Sequence, residues 1–508
     1  MLEYAESLIS LKRTHRWLGL MMIRRVEKEE TLDPENWAAM RALGHKMLDD
    51  MLDSLENIRS SPVWEPMTEN FFGKIRESLP LESQGLEKVY RDLREITEMN
   101  RTTGPKHPRF WGWVMGTGNV MSGYADMLAS GLNASSQSSI SWCYFVEAQI
   151  IEWFKEMLGY PREASGVIVS GGSMANLVGL TVARNVKAGY DIRKRGLQLA
   201  SKKMTLYGSS EMHSCLQKSV ELLGLGDDSL RRVPVDSNFM MDMGALETSI
   251  SDDREAGFHP ICVIGTAGTT NTGSFDDLNK IADVCKRQDL WFHIDGAFGA
   301  WAALSPKLSH LVEGIQRADS LAFDLHKWMY MSYEVGCALV RDKKAHYQTF
   351  ALMPEYLAHD EKQPPWFSDL CFELSRSFKG LKVWMSLKEH GVKKYSRLIQ
   401  QNADQAQYLR NLVEETSELE LLAPVPLNIV CFRYKVENQN DESLNKLNMR
   451  ILEKQWLNGN CMISNTVING KYALRACFTN HRSTRDDIDF MVKEVVALGN
   501  EMARSNQY

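Results

Sequence analysis

The sequence predicts an α/β protein with a mostly parallel central sheet and helices on both faces, and two observations carry that prediction. Between about residues 150 and 341, short apolar runs alternate with helical patterns. The runs are apolar throughout, as in strands buried on both sides. Residues with chemistry to offer fall just after these runs, where open α/β sheets hold ligands.

Taken in order, residues 1 to about 100 read as helical throughout. Leu2, Leu8, Leu11, Trp17, Leu18 and Met21 have near-helical spacing, and Asp33-Pro34-Glu35-Asn36 is a helix-start signal with proline in the first turn. Ile151 to Leu158 is helical, Val167 to Ser170 a strand, and a helix follows to Arg184. Next come the strand Met204–Tyr207, the helix Cys215–Leu223, and strands at Val233–Val235, Ile261–Thr266 and Leu290–Asp295, with helices near 245 and 280. Ser320–Phe323 and Gly336–Arg341 complete the sheet. Lys343 to Pro365 is polar, lacks a continuous apolar face and reads as a mobile lid. A long helical pattern from Lys382 to Arg397 leads to a smaller α/β region, with strands near Ile429–Tyr434 and Tyr472–Phe478 and a last helix from Arg485. The expected division is a helical N-terminal arm (1–118), a large domain (119–385) and a small C-terminal domain (386–508).

Bulk properties restrict the function classes. The chain has 508 residues, suited to two or three domains. With 59 Lys and Arg against 65 Asp and Glu, its net charge is −6, which gives no general attraction to nucleic acid or anionic membrane. Nine cysteines, scattered without metal-ligand spacing, point to reduced thiols in a cytoplasmic protein with no metal centre. No secretory signal or transmembrane stretch is read from the sequence.

The chemistry centres on Lys327. The strand Ser320–Phe323 delivers His326 and Lys327 at its end, and burying an ammonium without a partner costs several kcal/mol. Condensation with an aldehyde cofactor removes the charge; a lysine that snorkels to solvent is the alternative. Asp295 also ends an apolar run and needs a cationic or hydrogen-bonding partner. The protonated ring nitrogen of pyridoxal phosphate is such a partner. Gly166 to Ser173 followed by Met174 to Arg184 reads as strand, glycine turn and helix, with Ser173 at the N-cap of a phosphate-binding helix start. His213 follows another apolar run, as a stacking partner for a flat ring or as a satisfied core histidine.

These stretches, with His107-Pro108, Gly268-Thr269-Thr270, Ser274-Phe275-Asp276, His293-x-Asp295-x-Ala297, Trp328, Tyr356 and Arg376, resemble the pyridoxal-phosphate group II decarboxylases, the family of aromatic-L-amino-acid decarboxylase. The resemblance runs from about His107 to the C-terminus. It implies PLP-dependent fold type I, the aspartate-aminotransferase-like architecture, and a homodimer whose N-terminal arm covers the partner subunit. It implies pyridoxal 5'-phosphate as cofactor and an amino acid as substrate, most simply an aromatic one. By resemblance Lys327 holds the cofactor and Asp295 its ring nitrogen. Gly172, Ser173 and His326 take the phosphate, Thr270 and Ala297 the ring, and His213 stacks on its face. Tyr356 protonates Cα. No role follows for Arg376 beyond an ion pair fixing a closed loop. Phe110, Trp111 and Trp113 are expected on the substrate side, although such a cluster also suits a core or a dimer interface.

One stretch departs from the family. Where the aromatic enzymes carry Ser-Pro-x-x-Thr-Glu-Leu-Glu, this chain has Ile140-Ser-Trp-Cys-Tyr-Phe-Val-Glu147 and keeps only the last glutamate. The rivals are a decarboxylase of glutamate, aspartate or sulfinoalanine, with Arg109 as the nearest candidate cation, an aldehyde-forming oxidative decarboxylase, and a non-catalytic binding protein on the same fold.

Overall fold

The computed structural model describes residues 29–352 and 365–504. They form two compact units, one of residues up to 57 with 75–97, the other of 58–74 with everything from 98 onward. In the smaller unit, Tyr90 on the helix Leu86–Met99 donates to Asp50 on the helix Trp37–Glu56 at 2.7 Å. The N-terminal region is not helical throughout, since irregular chain separates Trp37–Glu56, Glu69–Ile75 and Leu86–Met99. The start signal also falls differently: Asn36 is the N-cap, accepting from Ala39 N–H at 3.0 Å, and Pro34 lies before it. Leu2 to Met21 lie outside the described residues.

The larger unit is built on a seven-stranded sheet, β1 Ser165–Val169, β2 Met204–Ser209, β3 Leu230–Val233, β4 His259–Thr266, β5 Trp291–Asp295, β6 Ser320–Asp324 and β7 Gly336–Val340, in the order β1-β7-β6-β5-β4-β2-β3. β7 runs against its two neighbours, and the other strands share one direction. β2, β5, β6 and β7 are buried along their whole length, which is why their sequences are apolar without alternation. β3 stops before Pro234, which has no N–H to donate, short of the expected Val235.

A four-stranded antiparallel sheet follows: β8 Leu419–Leu421, β9 Ile429–Tyr434, β10 Ser464–Ile468 and β11 Lys471–Cys477, in the order β10-β11-β9-β8. Its core includes Ile451, Leu474 and Val495 together with Trp111. Trp111 reaches this core because the segment before it is sewn to the sheet: its N–H bonds the Met462 carbonyl at 2.7 Å and its carbonyl accepts from Cys477 at 2.9 Å. The helical pattern at 382–397 is two helices, Gly380–His390 and Val392–Glu415, divided at Gly391, whose φ of +68° turns the chain. The polar stretch after Lys343 begins with a helix, Lys343–Phe350, capped by Asp342 and anchored by buried His346. The rest of the expected lid, 353–364, with Tyr356, lies outside the described residues. Among the described residues no helix is long and apolar enough to cross a membrane.

Burial makes this fold sensitive to acid. It holds His293 down to about 3, and His107, His346 and His481 each to about 4. The unfolded chain therefore binds protons at these four positions as pH falls through about 6.5 while the folded chain does not. Asp276, pushed up to about 6 by burial, acts in the opposite sense for one proton. Stability is thus expected to fall between about pH 6.5 and 4, with net proton uptake on unfolding. Urea midpoints measured across this range check it, and a flat profile contradicts it.

Candidate active site

Because β1, β2, β4, β5 and β6 run the same way, their C-terminal ends open on one cavity of about 480 Å³. β1 leads into Gly171 and the helix Gly172–Lys187. The N-cap is Gly171, not Ser173, and no side chain of the turn caps the helix. The cap comes from across the sheet, where Asp324 Oδ1 accepts the Gly172 N–H. A Cβ on Gly172 would lie 2.7 Å from Asp324 Oδ2, so only glycine permits this approach. Ser173 and Met174, one step further on, have no carbonyl a turn back to receive their N–H groups.

β5 ends in Asp295, nearly fully buried, with one oxygen accepting the Ala297 N–H at 3.1 Å. His213 is the N-cap of the helix Ser214–Leu222, and its Nδ1 accepts the Cys215 N–H at 3.2 Å, so the neutral ring carries its proton on Nε2. Burial holds His213 below its ordinary value, opposed by the charge of Asp295. Thr270 lies beyond β4, and its carbonyl accepts from Arg475 of β11, which ties the second sheet to the rim. His326 packs at a tilt of 41° against Tyr333 with ring centroids 4.6 Å apart, and its Nδ1 lies 2.9 Å from the Val335 carbonyl oxygen.

Lys327 Nζ lies 2.8 Å from Asp324 Oδ2. Burial alone lowers its pKa, but Asp324 and then Asp295 outweigh this and hold the ammonium above its ordinary value. This partly exposed lysine therefore has a charged partner that the sequence reading did not find. Gly172, Ser173, His213, Thr270, Asp295, Ala297, His326 and Lys327 all line the cavity, while Tyr356 lies outside the described residues.

The aromatic cluster divides. Trp113 lines the cavity, half exposed, but Trp111 is fully buried against Phe478 and Phe110 packs on Val63 and Met462. Arg109 is committed to Asp487 at 3.0 Å and does not line the cavity. Asn176 and Cys215, both unremarked in the sequence, form part of the wall. Asn176 is held by a buried chain: Trp291 Nε1 donates to Ser320 Oγ, which meets His293 Nδ1, and His293 Nε2 meets Asn176 Oδ1, each at 2.8 Å.

The cavity thus presents free N–H groups at a helix start, a buried carboxylate and a primary amine. This donor set matches the phosphate, ring nitrogen and aldehyde of pyridoxal phosphate.

The loop that Arg376 is expected to fix lies largely outside the described residues, but the arginine has a partner within them. It lies 3.4 Å from Glu147, both side chains almost wholly buried, and it donates to the Ile168 carbonyl in β1. Glu147 also accepts the Gly380 N–H at 3.1 Å, so the pair joins the helix Trp142–Leu158, β1 and the start of Gly380–His390. Removing either partner by Glu147→Ala or Arg376→Ala is expected to cost about 3–5 kcal/mol. The Glu147→Leu/Arg376→Met double variant should cost less than the sum. Denaturant titration reads this, and additive costs contradict it.

The family model for the pyridoxal-dependent decarboxylase conserved domain matches residues 69–435. The chain is 35% identical over 473 residues to an aromatic-L-amino-acid decarboxylase of Bacillus atrophaeus, covering 92% of this chain and 96% of that one. It is 29% identical to tyrosine decarboxylase 2 of Narcissus pseudonarcissus, over 88% and 91% of the two chains. The crystal structure of Oryza sativa TDC with PLP and tryptamine superimposes with a TM-score of 0.86 over 93% of this chain and 100% of that one, at 24% identity, and so shares its fold. The cavity, the matched domain and these relatives agree: the chain belongs to the pyridoxal-dependent decarboxylase family and is an amino acid decarboxylase.

Proposed function

We propose that the protein decarboxylates an aromatic L-amino acid to its amine, with Lys327 as the attachment point of pyridoxal phosphate. The convergence of Lys327, Asp295 and His213 on one cavity carries this reading. When bound, the cofactor supplies an electron sink for the pair left on Cα as carbon dioxide departs. The residues do the rest. Asp295 keeps a proton on the ring nitrogen, and the free amides of Ser173 and Met174, with His326, hold the phosphate. Thr270, Ala297 and His213, which line the same cavity, would hold the cofactor ring. Tyr356 returns a proton to Cα, the step that separates amine from aldehyde products.

The aromatic choice rests on the relatives' substrates and on the wall of the cavity. Trp113 offers a flat apolar surface there, and ring stacking contributes about 0.5–1.5 kcal/mol beyond burial. An acidic side chain would want a second cation. Among the described residues lining the cavity, Lys327 is the one lysine or arginine, and Arg109 is held by Asp487. The same reading takes the protein as a cytoplasmic homodimer. It is supported by the free, buried state of all nine cysteines and by the exposed Ile140, Trp142, Phe145 and Phe372.

Amine formation against a panel of aromatic and acidic amino acids tests the proposal. Aromatic substrates should be preferred. Asp295→Asn should lose about two or more powers of ten in turnover even with excess cofactor, since each factor of ten needs only about 1.4 kcal/mol. Preference for glutamate, aspartate or sulfinoalanine, or recovery of the variant by added cofactor, contradicts it.

A further inference from the structure

Asp324 has no part in the proposed catalytic steps, yet it is buried and held on both oxygens. Its side chain is 1% exposed, and its two oxygens have different partners, Gly172 N–H and Lys327 Nζ. The carboxylate has no room to swing. A Cβ on Gly172 would sit 2.7 Å from Oδ2, and one on Gly336 would sit 2.8 Å from Oδ1. The backbone of the helix start and of β7 thus clamps it from two sides.

We propose that Asp324 is the positioning residue of Lys327, holding Nζ at the helix-start end of the cavity and keeping a proton on that nitrogen both before and after it joins the cofactor carbonyl. This rests on Lys327 as the attachment point. The charge balance explains why one fixed carboxylate serves both states. The ammonium carries three protons. As the N–C bond forms and the C–O bond breaks, two leave with the aldehyde oxygen as water and one stays on nitrogen. One positive charge faces Asp324 throughout. A protonated nitrogen also makes the attached carbon the better target for an incoming amino group.

Several other groups face Lys327. Asp295 comes from β5, His213 and Cys215 from the start of the helix Ser214–Leu222, Cys477 from β11, and His326 and Tyr333 from the chain on either side. Burial pushes the thiols of Cys215 and Cys477 up to about 12 and about 11 and holds the imidazoles of His213 and His326 below their ordinary value, so all four are neutral near pH 7. Burial likewise raises Tyr333. Asp295 is engaged by the ring nitrogen in the proposed function. Asp324 is the carboxylate left for Nζ.

The test uses the full-length protein and the Asp324→Asn variant, which keeps the shape and an acceptor for Gly172. In the first arm, the visible absorbance of the cofactor-loaded protein is titrated with pH. The midpoint should fall by about one pH unit or more in the variant, and Asp324→Glu should recover part of it. A merely structural aspartate would leave Asn nearer to wild type than Glu. In the second arm, the cofactor-free protein is methylated with formaldehyde and cyanoborohydride, and modification of the Lys327 peptide is followed against pH by mass spectrometry. Its midpoint should also fall in the variant. Midpoints unchanged in both arms overturn the proposal. If the variant does not fold, wild type is read alone: Lys327 should titrate above the ordinary lysine value of about 10.4, and a midpoint at or below it overturns the proposal. Absence of a visible band in loaded wild type would instead defeat Lys327 as attachment point, and the second arm would still decide the role of Asp324.

Discussion

An ammonium set into the cavity just past the end of a strand, only partly exposed, is the constraint on which the rest of this site depends. Lys327 cannot be placed there without a fixed negative group, and Asp324, at the end of the same strand, provides it at 2.8 Å. That carboxylate in turn needs a donor and finds it in the Gly172 N–H, which draws the helix start against β6 so closely that a side chain at 172 is excluded. The glycine turn, the aspartate and the lysine are therefore one solution to one electrostatic problem. The following amides of the helix remain free for an anion as a consequence.

Strand direction does the remaining assembly. Five parallel ends place Asp295, His213, Thr270 and the Gly171-Gly172 turn around the same opening without any long loop being required to fold over them. The second sheet participates through several side chains, among them Cys431 and Thr466, which bond Asn271, and above all Arg475. Arg475 of β11 donates to the carbonyls of Thr270 and Asn271 and to Ser464 Oγ, so the rim is braced by the smaller sheet. Trp111 contributes to the same brace from the other side, as a core residue of that sheet and not as a substrate wall.

Much of this was legible in the sequence, and the parts that were not have physical reasons. Strands buried on both faces announce themselves by continuous apolar runs, so β2, β4, β5 and β6 were found to within a residue or two. Residues placed directly after such runs were found with them. Asp324 escaped because a single aspartate closing an apolar run looks like a strand boundary, and its partners lie at Gly172 across the sheet and at Lys327 one turn on. Trp111 and Trp113 are two residues apart and equally aromatic. Only the pairing of the Trp111 backbone with Met462 and Cys477 separates a core residue from a cavity residue, and that pairing is 350 or so positions distant in sequence. Arg376 likewise acquires meaning only from Glu147, whose persistence in the otherwise divergent stretch at 140–147 was the one available hint. Gly391 carried its own signal, since a positive-φ residue is the commonest way to end one helix and start another.

The central claim is that Lys327 is the residue to which the cofactor is joined. Borohydride reduction of the full-length protein loaded with pyridoxal phosphate, followed by digestion and peptide mapping, tests it most directly. The account predicts one stable cofactor adduct on the peptide containing Lys327, with the other lysines unmodified. A stable adduct on another lysine, or none at all under conditions where the protein forms amine, would contradict it.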